Sequence, residues 1–434
     1  MPDYKKKKVN NKLSRKRSNR IHDSRSKKEQ INIDFNDYDV EMTDSIASKK
    51  KKQDSIKVVK GKKLERQRKF KIFLVAVALI VVTYLILTFT LPVSLGENIE
   101  NFTATFGTGD YPIEIYGTDV LDSHSKGLYY YVLTDTNLSA FSNSGKEIYT
   151  YSHGYENPVL KSSETRALIF SQGGNSLEIY NLSKKIKEYQ PKNPIITADI
   201  CRNGSYAVAT YSDSYATSVK VFDKNNNVLF KWNSAKDTVN ALTLSPNGRY
   251  LVVSTFNAND GNLNSKISVF DMKVDTATPK NTFEFKDNIV YLLSSFKKGF
   301  TVATTDSVNF IDWKTFSNIK FDTDMQLDML RTSSDGAVAV FNLGSNKSDN
   351  VITVISPKGE KVSSFKFQGI ISDIKFLHNH IYCMSEAKVY LYDQDGTLLS
   401  TEDCGFDTVK VAVTGSQSVA VISDSKIRKI DFKE

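Results

Sequence analysis

Five histidines and three cysteines bound the metal and thiol chemistry open to this chain of 434 residues. His22 stands among basic residues near the start, and His124, His153, His378 and His380 lie further on. His378 and His380 straddle Asn379, so at two-residue spacing they face one side of an extended backbone and could approach one cation. A zinc site takes three or four protein ligands, and no third stands at a recognisable spacing, so a solvated pair in a turn is expected. Cys201, Cys383 and Cys404 are odd in number and form one pair at most. Cys383 and Cys404 are the pair that would share a structural unit; the competing reading has all three as buried free thiols. No G-x-S-x-G elbow, H-E-x-x-H helix, P-loop or dinucleotide fingerprint occurs, and the helical periodicity that would carry the last three is nearly absent. Carboxylates remain. Beyond position 71 there are 39 Asp and Glu, enough for a glycosidase-like acid and base if two converge, with no pattern singling out which two.

The elements that must position such groups fall into three parts. Hydrophobic residues make up 40% of the chain, too few for a polytopic membrane protein. Residues 1–71 hold 24 Lys and Arg against 10 Asp and Glu, in blocks such as Lys5 to Lys8 and Lys49 to Lys52, with no sustained apolar periodicity. Such a segment buries no core and reads as a disordered basic tail. Ile72 to Leu91 then run for 20 residues without a charge, about the 30 Å of a bilayer core as a helix. Some 70 residues precede this run, so it reads as a retained signal-anchor over 72–93, not a cleaved leader. Arg66, Arg68, Lys69 and Lys71 flank its start and Glu97 and Glu100 follow its end, which by the positive-inside rule makes the tail cytoplasmic and the rest extracytoplasmic. The expectation is a single-pass type II protein of the cell membrane, its tail touching anionic lipid. Nucleic acid is not an expected partner, because the basic blocks lack interleaved aromatics or a folded module.

Past a short stalk, 94–110, a repeat governs the fold. An apolar pair ending a β-run and followed by a small polar residue occurs eight times: Ala140-Phe141-Ser142, Ile179-Tyr180-Asn181, Val221-Phe222-Asp223, Val269-Phe270-Asp271, Phe310-Ile311-Asp312, Val354-Ile355-Ser356, Leu391-Tyr392-Asp393 and, more loosely, Lys429-Ile430-Asp431. Successive copies lie 37 to 48 residues apart with a mean near 41, the length of a four-stranded propeller blade. Upstream turns such as Pro246-Asn247-Gly248 and Asp335-Gly336 read as hairpins between strands a and b. Downstream turns such as Asp223-Lys224-Asn225-Asn226 and Asp393-Gln394-Asp395-Gly396 read as hairpins between c and d. The last copy leaves no room for strand d, while Tyr111 to Tyr116 precede the first copy without a blade of their own. Using that segment to complete the final blade removes two open edges. The predicted fold is all-β, an eight-bladed propeller over 111–434, with seven blades as the alternative.

Most b-to-c connections are short, but three are long: Tyr211 to Thr217, Phe256 to Ser265 and Leu343 to Asn350. Equivalent connections share one side of a propeller, so these three should open on one face. Asp213, Tyr215, Phe256, Asn257, Asp260, Asn262, Asn264, Asn346 and Asp349 are their candidate binding residues, suited to hydrogen bonding with a protein rim or a polar wall polymer; tolerated surface insertions are the other reading.

The run Leu242-Thr243-Leu244-Ser245-Pro246-Asn247-Gly248-Arg249-Tyr250-Leu251-Val252-Val253 and the Phe222-Asp223 type of pair resemble those of WD-repeat and quinoprotein-type propellers. With Val219-Lys220-Val221-Phe222-Asp223 and Leu229-Phe230-Lys231-Trp232-Asn233-Ser234-Ala235 beside a basic tail and one anchor, residues 60–434 are similar to an uncharacterised family of membrane-anchored propellers of clostridia and related Gram-positive bacteria. The resemblance implies a fold and no reaction. Trp-Asp never occurs, and Trp232 and Trp313 are the only tryptophans, so no quinone cofactor is implied. The function expected is a non-catalytic scaffold binding envelope protein or wall polymer. The alternative is an envelope polysaccharide hydrolase or lyase using channel carboxylates.

Overall fold

The computed structural model describes residues 41–434 except 92, 260, 275, 306, 323–324, 345–346 and 434, and divides into two compact units between Val81 and Val82. Helix α1 is Glu41–Thr90. Its segment Glu65–Ile86, 22 residues of mean hydropathy 2.3, is long and apolar enough to cross a membrane. The tail expected to lack regular structure divides at residue 41. Residues 1–40 lie outside the described residues, whereas 41–71 are helical. Lys, Glu, Gln, Arg and Ala are good helix formers, and an adjoining apolar helix supplies the nucleus that an isolated basic segment would lack.

The second unit carries eight four-stranded antiparallel sheets. Blades 1 to 7 span 120–152, 158–189, 195–234, 238–285, 292–322, 326–368 and 371–403, each with strands a to d in chain order from the channel outward. Blade 8 takes strands a to c from 408–431 and its strand d from Ile113–Glu114, with Ile113 opposite Ile427 and Glu114 opposite Lys426. The eight-bladed expectation and the closure by the N-terminal strand both hold. All eight apolar pairs fall at the end of strand c.

Burial follows from the stacking of blades. Strand b of blade 6, Gly336–Asn342, is buried at every position because neighbouring blades cover both faces. The rim strand d of the same blade, Lys361–Gln368, alternates exposed and covered residues. Side chains from successive blades therefore share cores: Tyr129, Tyr131 and Leu138 of blade 1 pack with Leu160, Ile169 and Tyr180 of blade 2. At the closure, Ile115, Ile422 and Ile427 pack with Tyr130 and Phe141, joining blade 8 to blade 1.

A second regularity concerns strand a. In blades 1, 3, 4, 6, 7 and 8 its register with strand b slips near its start, at Val120/Asp122, Ile195/Thr197, Val239/Ala241, Leu327/Met329, Ile371/Asp373 and Thr408/Lys410. An extra residue of this kind bends the strand and re-aims the side chains after it.

Residues 94–110, expected as a stalk, contain a helix, α2, Leu95–Ala104. Ser94 caps it, its side chain accepting from the Glu97 amide at 3.2 Å. Helix α2 lies against the propeller. Glu97 meets Arg166 in a two-pronged ion pair, Nε–Oε1 2.7 Å and Nη2–Oε2 2.8 Å, with both side chains almost covered. Arg166 also donates to the carbonyls of Gly204 and Lys224. Asn101 donates to the Thr165 carbonyl and accepts from the Leu182 amide. All of these contacts are with turns joining a to b or c to d.

Candidate functional site

A propeller has two faces, one bearing the a–b and c–d turns and the other the b–c and d–a connections. Helix α2 sits on the first. The three long connections belong to the second. Two of them come from neighbouring blades, 3 and 4, and the third from blade 6, two blades further round.

In blade 3, Asp213 pairs with Lys192 at 2.6 Å and accepts from Asn193 at 3.2 Å, so the b–c loop is tied to the preceding d–a connection. That contact with Lys192 holds the Asp213 carboxyl below its usual range. Tyr215 stands exposed beside it.

The blade 4 segment differs from the loop expected over Phe256 to Ser265. Strands Tyr250–Asn259 and Asn262–Asp271 continue pairing through it, with Phe256 opposite Ser265, Asn257 opposite Asn264 and Asn259 opposite Asn262. The asparagines read as loop composition, yet ladder bonds use only backbone groups, so a polar β-ribbon projects from the face. Asn257 donates to Asp237 at 3.1 Å, and the Asn264 side chain accepts from the Asp287 amide at 3.0 Å, fixing the ribbon's base to the d–a connections before and after blade 4. Asn262 is exposed and Phe256 half-buried. In blade 6, Asp349 opens strand c and is half-buried. Asp260 and Asn346 lie outside the described residues.

Large apolar side chains left open to solvent were not anticipated on this face. Tyr116, Tyr291, Ile370 and Phe406 stand on d–a connections, and Tyr211, Tyr215, Leu263 and Leu343 on or beside b–c connections. On the opposite face Leu128 and Val274 are comparably exposed on turns, Val228 and Leu398 beside them, and Ile99, Phe102 and Phe106 on or just after α2. Phe406 is 90% exposed. The signal was present in Cys404-Gly405-Phe406-Asp407, where a large apolar residue occupies a polar turn for which packing gives no reason. A cleft of about 350 Å³ between blades 2 and 3, lined by Asn157, Gln172, Ile195, Ile196 and Tyr211, opens among these residues.

The central channel is the other place where side chains converge. His124, Asp199, Thr243, Arg331 and Lys375 occupy equivalent positions, two residues past the slip in strand a of blades 1, 3, 4, 6 and 7. Asp122, Asp199 and Asp373, on strands a of blades 1, 3 and 7, are each engaged. Asp122 meets His124 at 3.1 Å. Asp199 accepts from the Thr243 hydroxyl and the Leu244 amide, and burial raises its pKa. Asp373, wholly buried, pairs with Lys375 at 3.3 Å and Arg331 at 3.8 Å and accepts from the Val411 amide, so it links blades 6, 7 and 8.

Elsewhere, His378 and Asn379 form an a–b turn with φ of 56° and 57°, and His380 Nδ1 lies 2.8 Å from the His378 carbonyl. Cys201, Cys383 and Cys404 are buried free thiols, so the Cys383–Cys404 pair is not formed. They belong to separate packed clusters, Cys383 between blades 6 and 7 and Cys404 between blades 7 and 8. Burial pushes the Cys201 thiol up to about 12 and raises the other two.

Among solved structures, the C-terminal WD40 domain of Sif2 is 11% identical, with a TM-score of 0.53 over 76% of this chain and 100% of that one. BamB from Moraxella catarrhalis is 12% identical, with a TM-score of 0.49 over 75% of this chain and 99% of that one. At such identity the likeness concerns fold alone. No curated protein matches the sequence. Residues 124–432, which run from strand a of blade 1 to the end of blade 8, match the model of a family described as of unknown function, and the chain belongs to that family, DUF5711.

Proposed function

We propose that this protein is a membrane-anchored scaffold that docks a protein partner of the cell envelope on the b–c and d–a face of its propeller. The observation that carries the reading is the ring of exposed aromatic and aliphatic side chains on that face, Phe406 most of all, beside a cleft between blades 2 and 3. Leaving large apolar groups in water forgoes about 1.5–3 kcal/mol each, and a partner's surface recovers it. Aromatic anchors ringed by polar side chains are the usual composition of an interface centre. Asp213, Asn257, Asn262, Asn264 and Asp349 would supply the polar rim, with Tyr215 and Phe256 among the apolar anchors. The apolar segment of α1 would span the bilayer once, with the Lys and Arg before it on the cytoplasmic side against anionic lipid and the propeller outside.

The test is site-specific photocrosslinking in cells. A benzophenone amino acid at Phe406 or Tyr215 should capture a discrete protein, and the same group at Leu128 or Val274 should not. Phe406→Ala should weaken the complex about 10- to 100-fold, the loss of one central aromatic anchor. Equal capture from both faces sinks the assignment.

A further inference from the structure

Two side chains from strand a of blade 1 and one from strand a of blade 2 line up on the channel wall. Asp122 and His124 are two residues apart on Val120–Lys126 and so project to the same side, where Asp122 Oδ2 stands 3.1 Å from His124 Nε2. Across the blade boundary, His124 Nδ1 is 2.6 Å from Ser162 Oγ. Asp122 Oδ1 accepts from the Ser123 amide at 2.8 Å, which fixes the carboxylate. A proton on Nε2 satisfies Asp122 and leaves the Nδ1 lone pair facing the serine hydroxyl. Burial, with the charges of Lys126 and Lys375 added, holds the imidazole's proton affinity below its ordinary value against the pull of Asp122, so the ring is neutral at pH 7. Lys126 has no ion-pair or hydrogen-bond partner for its ammonium among the described residues.

We propose that Ser162, His124 and Asp122 form a nucleophilic serine site in the central channel, acting on small carboxylic esters that can enter it. The two ring nitrogens exchange the roles they have in serine proteases, Nδ1 serving the hydroxyl and Nε2 the carboxylate. Ser162 Oγ attacks the ester carbonyl as its proton passes to His124 Nδ1. The C–O bond to the leaving alcohol breaks, that oxygen takes the proton from Nδ1, and an acyl-Ser162 remains. Water then attacks the acyl carbon, again giving a proton to Nδ1, and the carboxylic acid leaves as Ser162 recovers its hydrogen. No oxidant or cofactor enters. Lys126, whose charge acts on His124 from the same strand, would add positive potential near the reacting carbonyl. Asp122 is a positioning residue, acting through the imidazole.

A fluorophosphonate probe on the full-length protein in detergent tests this, because it forms a P–O bond with an activated serine and expels fluoride. The expected result is one adduct, on the peptide containing Ser162. Ser162→Ala should abolish it, and His124→Gln should slow its formation at least 100-fold. Asp122→Asn should slow it too and move the midpoint of its pH profile downward, since the carboxylate that raised the imidazole's proton affinity is gone while Lys126 and Lys375 still face the ring. If Ser162→Ala fails to fold, the wild-type adduct and the His124→Gln rate still decide the matter. A folded wild-type protein that forms no adduct at Ser162, or labels no faster than His124→Gln, overturns the proposal and leaves the three residues as a hydrogen-bond network of the channel.

Discussion

Burial holds the imidazoles of His124 and His153 below their ordinary proton affinity, and this ties stability to pH in a definite direction. Both folded-state values lie under the unfolded value of about 6.5, so the unfolded chain takes up protons first as pH falls. Above pH 7 neither histidine affects stability. Between about 6.5 and the lower folded values each removes at most about 1.4 kcal/mol per pH unit, and below those values the loss stops growing. Urea midpoints of the full chain in detergent should therefore fall from pH 7.5 to pH 5.5, and the double variant His124→Gln/His153→Gln should flatten that slope. An unchanged slope would place the acid sensitivity elsewhere. Sequence reading reached these residues only as a census of histidines. His124 and Ser162 are 38 positions apart on different blades, and the slip at Val120/Asp122 that re-aims Asp122 and His124 has no compositional signature. Such a site exists only once blades 1 and 2 have packed side by side.

At the scale of elements, α2 shows what a repeat cannot encode. Its anchor joins Glu97 to Arg166, 69 positions apart and outside the repeating pattern, so nothing in the spacing reveals it. The polar composition of Leu95–Ala104 resembled a stalk because its polar side chains, Glu97 and Asn101, are the ones that meet the propeller. The blade 4 ribbon was misread for a related reason, since its asparagines carry a loop's composition on a backbone that stays paired. Breaking one side of a buried ion pair costs about 3–5 kcal/mol, though Arg166 regains some hydration if the helix lifts. Glu97→Ala should consequently release α2. The measurement is hydrogen exchange, in which the amides of Leu95–Ala104 should exchange on the order of 100-fold faster with blades 3 to 7 unchanged. Retained protection would show that Asn101 and the Ser94 cap hold α2 without the ion pair.

For the whole molecule, the legible part was the part that recurs. Apolar pairs and turn residues return every 37 to 48 positions because each blade meets the same neighbours, so eight copies fixed blade number and strand order. The closing strand was legible too, as a deficit at one end matched by a surplus at the other. Removing residues 111–116 should strip strand d from blade 8 and expose the edge of Lys426–Asp431. We expect the thermal transition of that variant to fall by several degrees and the protein to self-associate, read by scanning calorimetry and light scattering. An unchanged, monodisperse variant would mean that blade 8 is held by its inner strands alone. The same pairing orders events during synthesis. Ile113 emerges from the ribosome more than 300 residues before its partner Ile427, so no nascent chain can complete the ring until its last blade has been made. A chain stalled anywhere short of Ile427 presents two unpaired edges, Ile113–Glu114 at one end and the last strand made at the other, which only synthesis of blade 8 can bring together.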